Sequence, residues 1–447
     1  MKRKFLLGCL AFAVCVAQAG ALAAQDDRYV VEFKRGIPAN LDAMVKAAGG
    51  TVQKVLPQIG YAVVKANRPS FADRMAKRSE VEGVYANARL QLEPVLEGKA
   101  FRVPARAALT ADPTEATLFP CQWQLDKMDV PEAWEQGALG STNAKVAIID
   151  TGVDATQVDL VGRVDEEHSV NLLAAPSECG AEDDDTIHDL AGHGTFMTSL
   201  VTTNGINMAA VAPETQVVMV KVFSCTGQGD WPEVIEGIVY AADLPDVSAI
   251  SISLGGFVKK NDPGAKQVIH AVKDAVDYAY SKGKIVTTVA GNQHVDLRTT
   301  HTLVPLPTVS GEAVGVYATD FKDNLTSYSN WGFPLAWIGA PGGDNEPPKK
   351  SFPGCTLPLA QQGRLVGACS SSVCDGATDA YITGRGTSAS SPLVAAVAAL
   401  VDGEANGALD GRRLKVILKN RADDLGEPGT DPIYGHGRVN AGRAVNH

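Results

Sequence analysis

Five short runs of β-branched and small apolar residues limit what this chain can fold into: KVAIID (145–150), VVMVKVF (217–223), SAISISL (248–254), KIVTTVA (284–290) and AVGVYA (313–318). Each is about one strand long and apolar nearly throughout rather than alternating, so both of its faces need cover. The segments between them, HGTFMTSLVTT, WPEVIEGIVYAAD and KQVIHAVKDAVDYAYSKG, carry a helical period. Strand and helix in turn predict an α/β unit of three layers, a mainly parallel central sheet with helices on both faces. In such sheets chemistry collects at the carboxyl ends of the strands.

The residues ahead of these runs read differently. MKRKFLLGCLAFAVCVAQAGALAAQDD has a cationic start, an apolar run from Phe5 to Ala17 and alanines at 21, 23 and 24 before the first acids, the pattern of a signal peptide over 1–24. No later run reaches the about 18 continuous apolar residues of a spanning helix, so no membrane contact is expected once that segment is cleaved. From 25 to 93, RYVVEFK, NLDAMVKAAGG, TVQKVLPQIGYAVVKA, RPSFADRMAKRSEVEGV and VYANARLQLEP alternate extended and helical periods. Their order, β-α-β-β-α-β, predicts a small ferredoxin-like α+β unit. Residues 94–120, with RVPARAALTADPTE, read as an exposed linker, and 121–447 holds all five strand-like runs.

The formal net charge of −11 argues against a nucleic-acid partner, which would need clustered Lys and Arg. Of eight cysteines, Cys9 and Cys15 fall in the signal segment. The other six, Cys121, Cys179, Cys225, Cys355, Cys369 and Cys374, read as disulfides in an exported protein, extracellular or periplasmic. Three precede residue 230 and three follow 350, so full pairing demands at least one long-range bridge.

Asp150 ends the first run, and a carboxylate at the end of a buried strand is costly unless it is paired. A partner appears 43 residues on, where His193 stands between glycines in AGHGTF at the start of a helical segment. The flanking glycines allow close backbone approach and leave an edge of the imidazole open. A third group follows in YITGRGTSASSPLVAAVAALV, where Thr383, Thr387, Ser388, Ser390 and Ser391 precede an Ala/Val-rich helix and Pro392 stands in its first turns. Hydroxyls there serve as caps, and one of them is also placed where free amides stabilise a developing oxyanion. Asp150, His193 and Ser388 therefore supply an orienting carboxylate, a base and a nucleophile.

The segments VAIIDTGVD, GHGT and GTSASSP resemble the three active-site signatures of the subtilisin-like serine endopeptidases, peptidase family S8, in the family's order. The likeness runs from Trp123 to Ala444 through VAP (211–213), SISLGG (251–256), VAGN (289–292) and YGHGRVNA. It implies a subtilisin-like fold and a secreted endopeptidase of broad polypeptide range, needing no cofactor for its chemistry. It also implies a zymogen in which residues 25–93 are an inhibitory propeptide until the linker 94–120 is cut; a monomer is expected. By the same resemblance Asn292 donates to the oxyanion, Ser253, Leu254, Gly255 and Gly256 line the substrate groove, and Asp159 and Asn204 are ligands of a structural calcium. The chain departs from the family at Ala389 and Ser390, where Met and Ala are usual, and at Gln293, where small residues are commoner.

Overall fold

The computed structural model describes residues 27–446 apart from 68, 69, 88, 94, 104–111, 175, 263 and 309, so the signal segment expected at 1–24 lies outside the described residues. The first unit is β1 (Arg28–Phe33), α1 (Leu41–Ala48), β2 (Thr51–Leu56), β3 (Tyr61–Lys65), α2 (Phe71–Ala76) and β4 (Val81–Ala86). Its four strands lie in the order β2-β3-β1-β4, all antiparallel, as the ferredoxin-like pattern requires. Alternation along β1 explains how one thin sheet serves two cores. Val31 and Phe33 pack with Leu41, Val45 and Phe71 of its own helices, whereas Val30 faces away into a second cluster.

Short helices α3 (Trp123–Lys127) and α4 (Val130–Glu135) lead into the larger unit, followed by β7 (Lys145–Asp150), β8 (Val170–Asn171), α5 (Ala181–Asp185), α6 (His193–Val201), β9 (Val217–Lys221) and β10 (Gln228–Asp230). Then come α7 (Trp231–Asp243), β11 (Val247–Ile252), β12 (Gly256–Lys259), α8 (Ala265–Ser281), β13 (Ile285–Val289), β14 (Leu303–Leu306), β15 (Val314–Thr319) and β16 (Ile338–Pro341). The chain ends with β17 (Leu365–Ala368), β18 (Ala380–Gly384), α9 (Thr387–Glu404), α10 (Gly411–Arg421) and α11 (Ala441–Ala444).

Seven strands form the central sheet in the order β16-β15-β13-β11-β7-β9-β8, and every pair is parallel. All five expected strands are among them. The two edge strands, β8 and β16, were not foreseen, being two and four residues long with no sustained β-branched run. Successive residues of β7 point to opposite layers: Val146 and Ile148 meet α6 and α9, while Ala147 and Ile149 meet α7 and α8. Both faces are dry, which is why these strands are apolar throughout. The chain turns to opposite sides of β7 to form β9 and β11, so the carboxyl end of β7 is a switch point where a crevice opens. Among the described residues no helix is long and apolar enough to cross a membrane.

The first unit lies on α7 and α8, with Val30, Leu56, Tyr61, Val63 and Tyr85 in the same cluster as Trp231, Ile235 and Val272. Polar contacts ring this face: Arg28 pairs with Asp230 and Glu233, Lys54 with Glu236, and Tyr61 Oη donates to Asp274 at 2.8 Å. The stretch read as an exposed linker is different in part. Here Val95 is buried and β6 (Leu96–Arg102) adds antiparallel to β18, while just ahead of it, in the closing extended run of the first unit, β5 (Arg89–Gln91) adds antiparallel to β10. Its apolar residues, few and unperiodic, gave no sign of this because the pairing is made by backbone. Three disulfides close the larger unit, Cys121–Cys355, Cys179–Cys225 and Cys369–Cys374, the first spanning 234 residues as the cysteine distribution demanded.

Candidate active site

Asp150 at the end of β7 is 1% exposed. Its Oδ1 accepts the Thr151 amide at 2.7 Å and the His193 Nδ1–H at 2.7 Å, while Oδ2 is buried without a partner. His193 opens α6, and the two glycines beside it have separate reasons. Gly192 holds φ of 87°, which a side chain resists, and a Cβ on Gly194 would lie 2.1 Å from the Gly152 carbonyl oxygen. Any larger residue at 194 would therefore lift the imidazole off Asp150.

The residue that sets this loop belongs to none of the motifs. Asp189, wholly buried, accepts the amides of Gly192 at 2.7 Å and Thr195 at 2.8 Å and the hydroxyls of Thr151 at 2.8 Å and Thr195 at 2.7 Å. Burial pushes its carboxyl above the usual range despite these donors. An acid just ahead of a helix start was the available signal, since such residues cap orphan amides. With Nδ1 committed to Asp150, the far nitrogen of His193, Nε2, is buried and has no hydrogen-bond partner.

Ser388 is the second residue of α9, a helix buried from Thr387 to Asp402. Pro392 lies inside that helix and lacks the N–H that would reach the carbonyl four residues back. That carbonyl belongs to Ser388, and Ser253 Oγ supplies the missing donor at 2.9 Å. Ser253, expected in the groove wall, thus also braces Ser388 from behind. The neighbouring hydroxyls are committed as well. Thr383 donates to Glu97 O, Thr387 to Asn292 Oδ1, Ser390 to Pro341 O, and Ser391 to Thr287. Among the described residues the Ser388 hydroxyl alone in this group makes no hydrogen bond.

Asn292 and Gln293 follow β13 as two adjacent carboxamides, each with its oxygen tied down. Asn292 Oδ1 accepts the Thr387 amide at 2.9 Å and hydroxyl at 2.8 Å. Gln293 Oε1 accepts Asn330 Nδ2 at 2.8 Å. Both amino groups consequently face the cleft, where they donate to the Glu93 carboxylate: Asn292 Nδ2 to Oε2 at 3.2 Å and Gln293 Nε2 to Oε1 at 2.7 Å. The same cleft is lined by Ser388 together with Ser253, Leu254, Gly255 and Gly256. Backbone pairing with the chain's own segment occurs on β10, which the sequence reading did not single out, because GQGD has neither apolar period nor β-branched residues.

Asp159 and Asn204, the expected calcium ligands, are held by protein donors in this structure. The Asp159 carboxylate accepts the amides of Ile206 at 2.7 Å and Met208 at 3.2 Å, shares the Asn207 amide, and accepts Tyr381 Oη at 2.6 Å. Asn204 Oδ1 accepts Arg163 Nε at 2.8 Å. Amides, a phenol and a guanidinium answer the oxygens that a calcium would need, and calcium wants six to eight of them. The acidic run over α5 has a related fate: Asp183 is buried against Lys221 at 2.8 Å, both fully enclosed.

The sequence profile of the Subtilase family matches residues 141–437. Thermitase from Thermoactinomyces vulgaris is 31% identical over 338 residues, covering 75% of this chain and 99% of that protein. A thermophilic serine proteinase from Bacillus sp. strain AK1 is 27% identical, covering 94% of this chain and 87% of its own length. Among solved structures, the epidermin leader peptide processing serine protease from Staphylococcus aureus superposes with a TM-score of 0.74 at 24% identity, over 94% of this chain and 98% of that one. At that identity the likeness speaks for the fold.

Proposed function

The chain belongs to the Subtilase family and is a subtilisin-like serine protease; from that premise we propose how it cuts a peptide and how it is held in check. Ser388 Oγ attacks the scissile carbonyl. His193 Nε2 takes the hydroxyl proton and returns it to the leaving amine, while Asp150, bonded to Nδ1, holds the tautomer and stabilises the imidazolium. The tetrahedral oxyanion is met by Asn292 Nδ2 and the Ser388 amide at the start of α9, donors of a kind whose loss costs about 10²–10³ in rate. The observation that carries this reading is a tethered imidazole with an unpartnered far nitrogen, together with a Ser388 hydroxyl at the start of α9 that makes no hydrogen bond among the described residues.

The chain is a zymogen in this reading. Residues 25–93 act as inhibitor, supported by the packing of β1–β4 on α7 and α8 and by β5 and β6 lying against β10 and β18. A cut within 94–120 then frees a groove for extended polypeptides of broad sequence, which bind by adding a strand to β10. The signal pattern at 1–24 and the three disulfides support export to the periplasm or the medium.

The test pairs the purified protein with Ser388→Ala in two assays, labelling by a fluorophosphonate and loss of casein. Both signals are expected in the wild type and neither in the variant. A folded, trimmed sample that takes no label removes the protease mechanism. A pure Ser388→Ala sample that still trims to the same new N-terminus removes self-cutting.

A further inference from the structure

Gln293 is the departure that the family resemblance left without a role, and its surroundings give it one. Its side chain cannot turn over freely. Asn330, fully buried, spends every amide atom on this corner: Oδ1 accepts the amides of Gln293 at 3.1 Å and Val295 at 2.9 Å, and Nδ2 donates to Ala290 O and Gln293 Oε1, both at 2.8 Å. With Oε1 so held, Nε2 is obliged to present hydrogens to the cleft. Asn292 is locked the same way by Thr387, so two amino groups stand side by side.

The chain itself shows what these donors bind. Residues 89–92 run antiparallel to β10 on one side of Ser388, with the Leu92 amide on Gly227 O at 2.8 Å. On the other side Val95 O accepts the Arg385 amide at 3.1 Å, and β6 continues along β18. Glu93 is therefore the residue at the crossing, beside Ser388 and Asn292 in one cleft, and its carboxylate spans both carboxamides. An –NH₂ has two hydrogens, so Asn292 keeps one for an oxyanion while the other meets the side chain. Among the described residues no Lys or Arg lines this cleft. Recognition rests on neutral donors facing an acceptor.

We infer that Gln293 is a specificity-determining residue that selects a side chain ending in a hydrogen-bond acceptor, Glu foremost, at the substrate residue preceding the scissile bond. The inference rests on the serine-protease mechanism proposed above. Gln fits the same donors with a weaker acceptor, Asp falls one methylene short, and Lys or Arg sets donor against donor. A hydrogen bond from a neutral donor to a charged acceptor, made in a groove built for it, separates matched from unmatched side chains by about tenfold or more.

The test is a set of chromogenic peptides alike except for Glu, Gln, Asp, Phe or Lys at that residue, with kcat/KM measured on the wild type, Gln293→Leu and Gln293→Glu, each titrated with a fluorophosphonate. The wild type is expected to favour Glu over Lys by about tenfold or more. In Gln293→Leu the ratio of Glu to Phe falls by about the same factor, and in Gln293→Glu the order of Glu and Lys reverses. A wild type that takes the label yet shows no preference for Glu, or variants that leave the Glu to Phe ratio unchanged, overturns the inference and leaves the protease mechanism standing. A wild type that takes no label overturns both.

Discussion

Asp150 and Asp159 are nine residues apart in sequence, 1% and 0% exposed, and both read as functional carboxylates. What separates them is the nature of their partners. Asp159 is answered by three backbone amides and a tyrosine hydroxyl, groups that belong to fixed elements and have no second task. Asp150 gives one oxygen to an amide and to His193, leaving its other oxygen and the far imidazole nitrogen without partners. A buried acid saturated by the fold is a staple. One that passes its charge to a group with an open end is poised for chemistry.

The comparison breaks first at the triad. Asp150→Asn should fold normally but lower kcat on a peptide substrate by about 10⁴, because the carboxamide no longer fixes the productive tautomer. Steady-state rates on active-site-titrated enzyme decide this, and a loss under about tenfold would make Asp150 another staple. Asp159→Asn should do the reverse. Turning an acceptor into a donor against fixed amides costs about 2 kcal/mol of stability, read by thermal unfolding, with kcat unchanged within about twofold.

The same variant carries a pH signature. Burial holds the Asp159 carboxyl above 3.8, so the folded protein binds this proton more readily than the unfolded chain. Its contribution is complete below that value and is lost as pH rises through the folded pKa. The wild type's stability margin over Asp159→Asn should therefore shrink as pH is raised from about 4 toward neutrality. The smallest expected effect is that of a chelator. Since Arg163 and Tyr381 already occupy the oxygens of Asn204 and Asp159, excess EDTA should move the melting temperature by less than about 2 °C, whereas a bound calcium would raise it measurably.

In the segments that resemble a calcium site, as at the triad, a short motif leaves out what answers its residues. Short motifs name residue types; their partners come from elsewhere in the chain. Asp159 and Asn204 sit in segments like those that bind calcium, but Tyr381 is 222 residues from Asp159, and nothing local to either segment announces it. Asp189 stands only four residues before His193 with nothing in the sequence to mark it, because an acid ahead of a helix is ordinary. Gln293 stands out where small residues are commoner, yet its orientation depends on Asn330, 37 residues on, which locks its amide.

Taken alone, the sequence determined the layers and most of their order. Buried parallel strands must be apolar on both faces, and helices that meet solvent must be amphipathic, so β7, β9, β11, β13 and β15 and the first unit's β-α-β-β-α-β pattern were legible from period alone. It also supplied the candidate base and nucleophile, because Asp150, His193 and Ser388 stand in three motifs that follow one another in the order of a catalytic triad. Only the tertiary structure decided which charges were answered and by what, that β5 and β6 pair with β10 and β18 to leave Glu93 in the cleft between them, and which way two carboxamides face. Those outcomes are set by hydrogen bonds between residues distant in sequence and by backbone pairing that leaves no mark in side-chain pattern.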